Sequence, residues 1–377
     1  MHSPAAALPK LNLDLCRARQ RRLREALAAG GIDQAVLVKP EHVQYLTGFR
    51  PHPLHAAALA LTPDSCLLAA PNSEPPRHAA DRVATFEAQW LCTLRQDQEQ
   101  AAAAALADLW AGRNPRAVTA VEHTRSSPAL LRVLDLAAAD IPDAEPALLD
   151  CRRKKDPDEL AMIRHAIGAT AAMYARAREI IRPGIDELDV FNELQSAAVT
   201  ALGEPWTATG NDYQCGSPGG PPRAGRKALA GELFILDLGP AYRGYFADNC
   251  RAIAVDREPD DRQLEAWRVI MDVLAEVEAG VRPGVRCRDV FERAKALLDR
   301  WMPGSFSHHL GHGIGLYPHE TPHLNSAWDD VFQEGDVFTA EPGLYHESLR
   351  AGIRIEQNYL VTASGVELLT AFSAELA

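Results

Sequence analysis

No apolar run in the 377-residue chain approaches the length a membrane-crossing helix needs. The opening MHSPAAALPKLNLDLCRARQRR also lacks the basic-then-apolar layout of a secretory leader. Positive charge is in deficit: 39 Lys and Arg face 51 Asp and Glu, a formal net charge of -12, and no Lys/Arg stripe interrupts it. That argues against a nucleic-acid-binding surface. Seven cysteines, at 16, 66, 92, 151, 215, 250 and 287, are odd in number and form no CxxC pair. Reduced, mostly buried thiols are expected, not a disulfide framework or a zinc knuckle. What is left is an ordinary globular composition, 47% hydrophobic and 24% charged. The expectation is a cytoplasmic chain without membrane or nucleic-acid partners and with room for two domains.

The first part of the chain alternates helix and strand signals. Leu15, Leu23 and Leu27 share one side of a helix predicted over 13–29, stopped by Gly30-Gly31. Strand signals follow over 32–39, on both sides of Thr62-Pro63-Asp64 and over 116–122; a short element covers 42–49, and helices are predicted over 96–110 and 126–139. A small α/β domain over 1–150 accounts for this order. His42, His52 and His55 have no carboxylate near them in sequence and read as surface or loop histidines. Arg152-Arg153-Lys154-Lys155 reads as a solvated connector to a second domain over 151–377.

That domain starts with Asp156-Pro157-Asp158-Glu159, a cap, a first-turn proline and the acid of a capping box. Helices are predicted from there to about 181, then over 187–201, 261–279 and 288–301. Residues 206–226 are too rich in Gly and Pro for regular structure, and a loop of that length inside a compact domain is usually functional or disordered. The tryptophans and other aromatics are spaced like core residues.

The most informative stretch is GELFILDLGPAYRGYFADNCR, residues 231–251. Read as a β-hairpin turning at Arg243-Gly244, it sets Asp237 and Asp248 on neighbouring strands. Two unpaired carboxylates in a core are costly, so a cation is expected with them. The pattern recurs: Gly231-Glu232-Leu233-Phe234-x-x-Asp237-x-Gly239 matches Gly335-Asp336-Val337-Phe338-x-x-Glu341-x-Gly343. The second copy leads to Glu356, which shares a strand face with Arg354. Arg182-Pro183-Gly184-Ile185 likewise returns as Arg282-Pro283-Gly284-Val285, a spacing of about one hundred residues that indicates duplication and a pseudo-twofold. Such an axis brings Asp237, Asp248, Glu341 and Glu356 together as a two-metal site. Close by in sequence, SFSHHLGHGIGLYPHE places His308, His309, His312 and His319 among glycines that allow close backbone approach.

DLG with a second Asp downstream, GHGIG followed by His319-Glu320, TAEPG and RIEQNYLVT stand in the order seen in the M24 metallopeptidases, which the chain resembles. These include methionine aminopeptidase, aminopeptidase P and prolidase, which share the pita-bread fold. RRLREALAAGGID and VQYLTGF resemble the smaller N-terminal domain of the prolidase, aminopeptidase P and creatinase branch, so the likeness covers nearly the whole chain. The fold class it implies is α+β: a C-terminal pita-bread domain with internal pseudo-twofold, plus a creatinase/prolidase-type α/β domain.

Residue by residue, the resemblance makes Asp237, Asp248, His312, Glu341 and Glu356 ligands of two divalent ions, with Asp248 and Glu356 bridging. Carboxylates with one imidazole suit Mn²⁺ first, with Co²⁺ or Zn²⁺ as alternatives. His308 and His319 match substrate-facing histidines, Arg354 an arginine that orients the carboxylates, and Glu341 a general base and acid. The implied function is hydrolysis of the Xaa-Pro bond in dipeptides, as in prolidase. The alternatives are an aminopeptidase P acting on longer peptides, a hydrolase of small non-peptide metabolites, and a non-catalytic scaffold. Members of this branch are commonly homodimers, in which the 49–55 loop could reach substrate in the other subunit. Three departures bear on substrate: no histidine stands at Ser217-Pro218-Gly219-Gly220, His323 stands near the place of a carboxylate-reading arginine, and Cys250 replaces a threonine.

Overall fold

A computed structural model describes residues 7–136 and 140–377 of the chain. They form two compact units, one of residues 10–152 and one of residues 153–377 with the described residues before Lys10.

In the first unit, helix Leu13–Ala29 is capped by Asn12, whose side chain accepts from the Asp14 and Leu15 amides. Its apolar side, Leu23 and Leu27, is buried. The sheet has five strands in the order Arg82–Phe86, Cys66–Pro71, Ala58–Leu61, Gln34–Leu37 and Thr119–Val121. Both outer pairings are parallel and both inner ones antiparallel. The fully buried strands are the ones the apolar runs announce; Arg82–Phe86, only partly buried, carries no such signal. The residues expected as a short element over 42–49 belong to helix Pro40–Thr47. Of the helix expected over 126–139, Pro128–Val133 is helical, and 137–139 lie outside the described residues.

His42 is not a surface histidine. Its ring is buried, with Nδ1 against the Glu122 carboxylate and Nε2 accepting from Arg152 Nη1 at 2.9 Å. Glu122 lies far away in sequence, which is why the local pattern hid the pair. Nor is the basic run solvated, apart from the exposed Lys154. Arg152 is bonded to His42 in this unit, and in the other Arg153 pairs with Asp336 at 2.7 Å and Lys155 with Glu320 at 3.1 Å. Such charges tolerate burial because each has a partner.

The second unit repeats one plan. Helices Pro157–Ile180 and Glu187–Leu202 precede a three-stranded sheet ordered Asn249–Ala254, Leu233–Leu238, Asp212–Cys215. The expected capping box at Asp156 and Glu159 is present. Helices Asp261–Gly280 and Cys287–Trp301 then precede a five-stranded sheet ordered Glu320–Leu324, Gly311–Gly313, Val337–Ala340, Gln357–Val361, Val366–Leu368. Equivalent backbone bonds mark the duplication. Gly184 donates to Ala228 at 2.8 Å as Gly284 does to Phe332 at 2.9 Å, and Val255 to Glu232 at 3.0 Å as Val361 does to Asp336 at 2.9 Å. One apolar core gathers around Met173, Phe234 and Leu236 and another around Ile270, Val290 and Phe338, the second also taking in Leu233, Ala252 and Ala254 of the first half.

The turn at Arg243-Gly244 has left-handed φ of 47° and 87° at its two residues, which suits the twist of the two-residue hairpin they close. The segment 206–226 is less irregular than its composition suggests, since Asp212–Cys215 pairs with Leu233–Leu238. Trp90 and Trp328 are about half exposed, unlike the core aromatics their spacing suggested. Among the described residues no helix is long and apolar enough to cross a membrane.

Candidate metal centre

Two strand pairs deliver four carboxylates to one place. Asp237 lies in Leu233–Leu238, and Asp248 immediately precedes the partner strand Asn249–Ala254. Glu341 follows Val337–Ala340, and Glu356 precedes its partner Gln357–Val361. Backbone bonds then tie one hairpin to the other. The Glu356 amide donates to Cys250 O at 2.9 Å, and Arg251 and Asn249 side chains both donate to Glu356 O at 2.5 Å. The Asn358 side chain binds the Asp248 backbone carbonyl and accepts from its amide at 3.5 Å. Carboxylates from the two copies are therefore held side by side by main-chain geometry.

These acids line a cavity of about 470 Å³ together with Asn211, Pro218, Ser307, His308, His309, His312, His319, Tyr345 and Arg354. Gly311 lets the histidine segment reach it, because a Cβ there would lie 2.0 Å from Thr339 O. His312 Nδ1 donates to Gly313 O at 3.1 Å, which leaves Nε2 a bare lone pair. That nitrogen is 3.5 Å from Glu341 Oε1 and 3.7 Å from Asp248 Oδ2. His319 stacks on His312, rings 3.6 Å apart. His308 is fully engaged by protein: Nδ1 donates to His309 O at 2.8 Å, and Nε2 accepts from the Tyr345 hydroxyl at 2.9 Å.

Burial moves the ionisation of this cluster. It raises Asp237 to about 6 against the pull of Arg354, and raises Asp248 and Glu356 well above the carboxylate range, neighbouring acids adding to the effect. Burial lowers His308, His319 and His312, the last to about 3. Glu341 differs: burial pushes it up, but the hydrogen bond from His309 and nearby imidazoles outweigh this and hold it down to about 2.

Neither carboxylate oxygen of Glu356 has a hydrogen-bond partner, although both are buried. Donor atoms of Asp248, His312 and Glu356 all lie within 4.8 Å of one another. Unpaired buried carboxylates are strongly unfavourable, and divalent ions are the counter-charge this donor set suits. The residues fit a metal centre.

Of the candidates named from sequence, Asp237, Asp248, His308, His312, His319, Glu341, Arg354 and Glu356 all line the cavity. His323 does not: its Nδ1 is 2.8 Å from Asp330 Oδ2 and its ring stacks on Trp328. Asp212, Tyr345 and His309 are additions. Asp212 pairs with Arg354, and it accepts from the Gly220 amide at 2.7 Å. A Cβ on Gly219 (φ 151°) would lie 2.3 Å from Asp212 Oδ2, so the place of the missing histidine is packed glycine. Tyr345 stood in plain view in EPGLY; only its hydrogen bonds disclose a role.

The model of metallopeptidase family M24 matches residues 161–363, and that of the creatinase/prolidase N-terminal domain matches residues 19–153. The prolidase of Pyrococcus horikoshii OT3 superposes with a TM-score of 0.79 at 22% identity, covering 96% of this chain and 100% of that one. The dipeptidase PepE of Mycobacterium ulcerans gives 0.77 at 26% identity, covering 97% and 98%. An uncharacterized peptidase of Staphylococcus epidermidis is 29% identical over 235 residues, 61% of this chain and 66% of that protein, so the match spans just under two thirds of this relative's length. With a family match over more than half its length and the fold of the prolidases, the chain belongs to metallopeptidase family M24.

Proposed function

We propose that this chain hydrolyses the Xaa-Pro bond of dipeptides with two divalent ions, Mn²⁺ first and Co²⁺ or Zn²⁺ as alternatives. Asp237, Asp248, His312, Glu341 and Glu356 would hold the ions. The observation that carries the reading is the pair of buried, unpartnered Glu356 oxygens among three further carboxylates. A scaffold that bound no metal would have to bury and protonate these unpartnered carboxyls at a cost.

When bound, such ions supply Lewis acidity to a carbonyl oxygen and acidity to a water. The chain's residues do the rest. Glu341, ionised at neutral pH, takes a proton from the attacking water and returns it to the leaving nitrogen. His319, facing the cavity, donates to the developing oxyanion. Arg354 fixes Asp237 and, through the Tyr345 hydroxyl, the His308 ring, which bounds the substrate space. We place the enzyme in the cytoplasm as a homodimer.

A second reading, aminopeptidase P activity on longer peptides, has one observation in its favour. Among the described lining residues, Arg354 is the one permanently cationic side chain, and Asp212, Asp237 and Tyr345 already occupy it. The free carboxylate of a dipeptide would find no spare guanidinium among them. Metal-dependent proline release from Ala-Pro, run beside cleavage of Ala-Pro-Ala, decides. Cleavage of the dipeptide alone supports the first reading, and cleavage of the tripeptide supports the second. A metal-loaded protein that cuts neither would overturn both.

A further inference from the structure

We propose that His309 is a positioning residue for the metal centre, holding Glu341 through a hydrogen bond from its imidazole to Oε1. The inference rests on Glu341 being a metal ligand. The family resemblance distributes roles to His308, His312 and His319 and leaves His309 with none.

The contact is built by the main chain. The Leu310 amide donates to Leu324 O at 2.9 Å, and the Glu341 amide donates to Leu310 O at 2.7 Å. Leu310 itself is fully buried, so this crossing point is anchored in the core. Residue 309 therefore emerges beside the start of residue 341, on the cavity side. Its Nε2 lies 2.8 Å from Glu341 Oε1, the one ring nitrogen among the described residues within ordinary hydrogen-bond distance of that carboxylate; His312 is at 3.5 Å and His308 at 3.9 Å.

A glutamate reaches its ligand position through three rotatable bonds, more freedom than an aspartate has. Asp237 is steadied by Arg354, and Asp248 by its clamped backbone. Glu341 has its backbone clamped at Leu310, but among the described residues its carboxylate is restrained at hydrogen-bond distance by His309. Partners of metal-binding carboxylates that do not themselves touch the ion orient the carboxylate and sharpen affinity.

The test compares wild-type protein with His309→Ala and His309→Gln, each loaded with Mn²⁺. Metal affinity is read by competition with a fluorescent chelator, and kcat and KM on whichever Xaa-Pro peptide the wild type cuts. The alanine variant should lose about 10–100-fold in affinity for one of the two ions, with kcat falling and KM holding. The glutamine variant keeps an N–H donor and should recover most of the loss. Unchanged affinity in His309→Ala overturns the proposal, as does equal loss in both variants. Pulsed EPR of wild type that counts two imidazole nitrogens on the ions also overturns it, since His309 would then be a ligand. A wild type that binds no metal overturns this inference and the proposed function together. One that binds metal but cuts neither peptide overturns the substrate reading alone, and the affinity comparison still decides for His309.

Discussion

Arg354 donates from Nη2 to Asp237 Oδ2 at 2.9 Å, and its Nη1 donates to the Tyr345 hydroxyl at 3.0 Å. One buried cation thus steadies the first carboxylate of the centre and, through Tyr345, the His308 ring. Arg354→Gln should lower kcat about 10–100-fold and weaken retention of the ion nearest Asp237. Arg354→Lys should recover little, because a single ammonium cannot reproduce the forked contacts. Metal content after dialysis, read beside kcat, checks both.

Glu356 offers a test free of turnover. Glu356→Gln removes a carboxyl that the metal-free fold must bury and protonate, so near neutral pH the metal-free variant should melt a few degrees above metal-free wild type. Added Mn²⁺ should raise the melting temperature of wild type strongly and that of the variant weakly. Calorimetry with and without chelator reads all four states.

Acidity bears on the same acids. The metal-free folded state keeps a proton on Asp237 up to about 6, and on Asp248 and Glu356 well above the carboxylate range, where the unfolded chain has released its protons. The folded state binds more protons, so metal-free stability should fall as pH rises from the ordinary carboxylate range through 6 and beyond. Bound metal should remove the decline, since ligation takes over from protonation. A pH series of urea midpoints, run with metal and with chelator, tests the sign.

His42 predicts the opposite slope. Burial lowers its pKa below 6.5, and only a neutral ring can accept from Arg152. The unfolded chain takes up a proton that the folded ring refuses, so stability contributed here is present at higher pH and lost as pH falls below 6.5. The gap in melting temperature between wild type and His42→Gln should narrow from pH 7.5 to about 5.5.

Gly311→Ala should be severe. The added Cβ would stand 2.0 Å from a backbone oxygen that cannot move without disturbing the sheet. A loss of at least about 1–3 kcal/mol is expected, with His312 displaced. Chemical denaturation measures the first effect, and metal stoichiometry the second.

Much of the architecture was legible because it depends on local patterns. Apolar runs marked the buried strands, the Asp156 capping box marked a helix start, and repeated GELF and GDVF segments marked the duplication. Chain order and family likeness together named the acids that meet in the cavity. Long-range partnerships were hidden. His42 and Glu122 stand eighty positions apart, and nothing near either betrays the other. Arg153 and Lys155 looked solvated because the acids that neutralise them, Asp336 and Glu320, come from distant strands. His323 looked like a pocket residue from its place after His319, yet Asp330 and Trp328 engage it instead.

The bond from Glu356 to Cys250 O joins the two duplicated halves at their seam. One half brings Asp237 and Asp248; the other brings His312, Glu341 and Glu356. A chain cut in the turn after Val255 would yield two fragments, each with an apolar core but an incomplete set of donors. Ions held by donors from both fragments would then favour their reassembly, beside the packing and backbone bonds the halves already share.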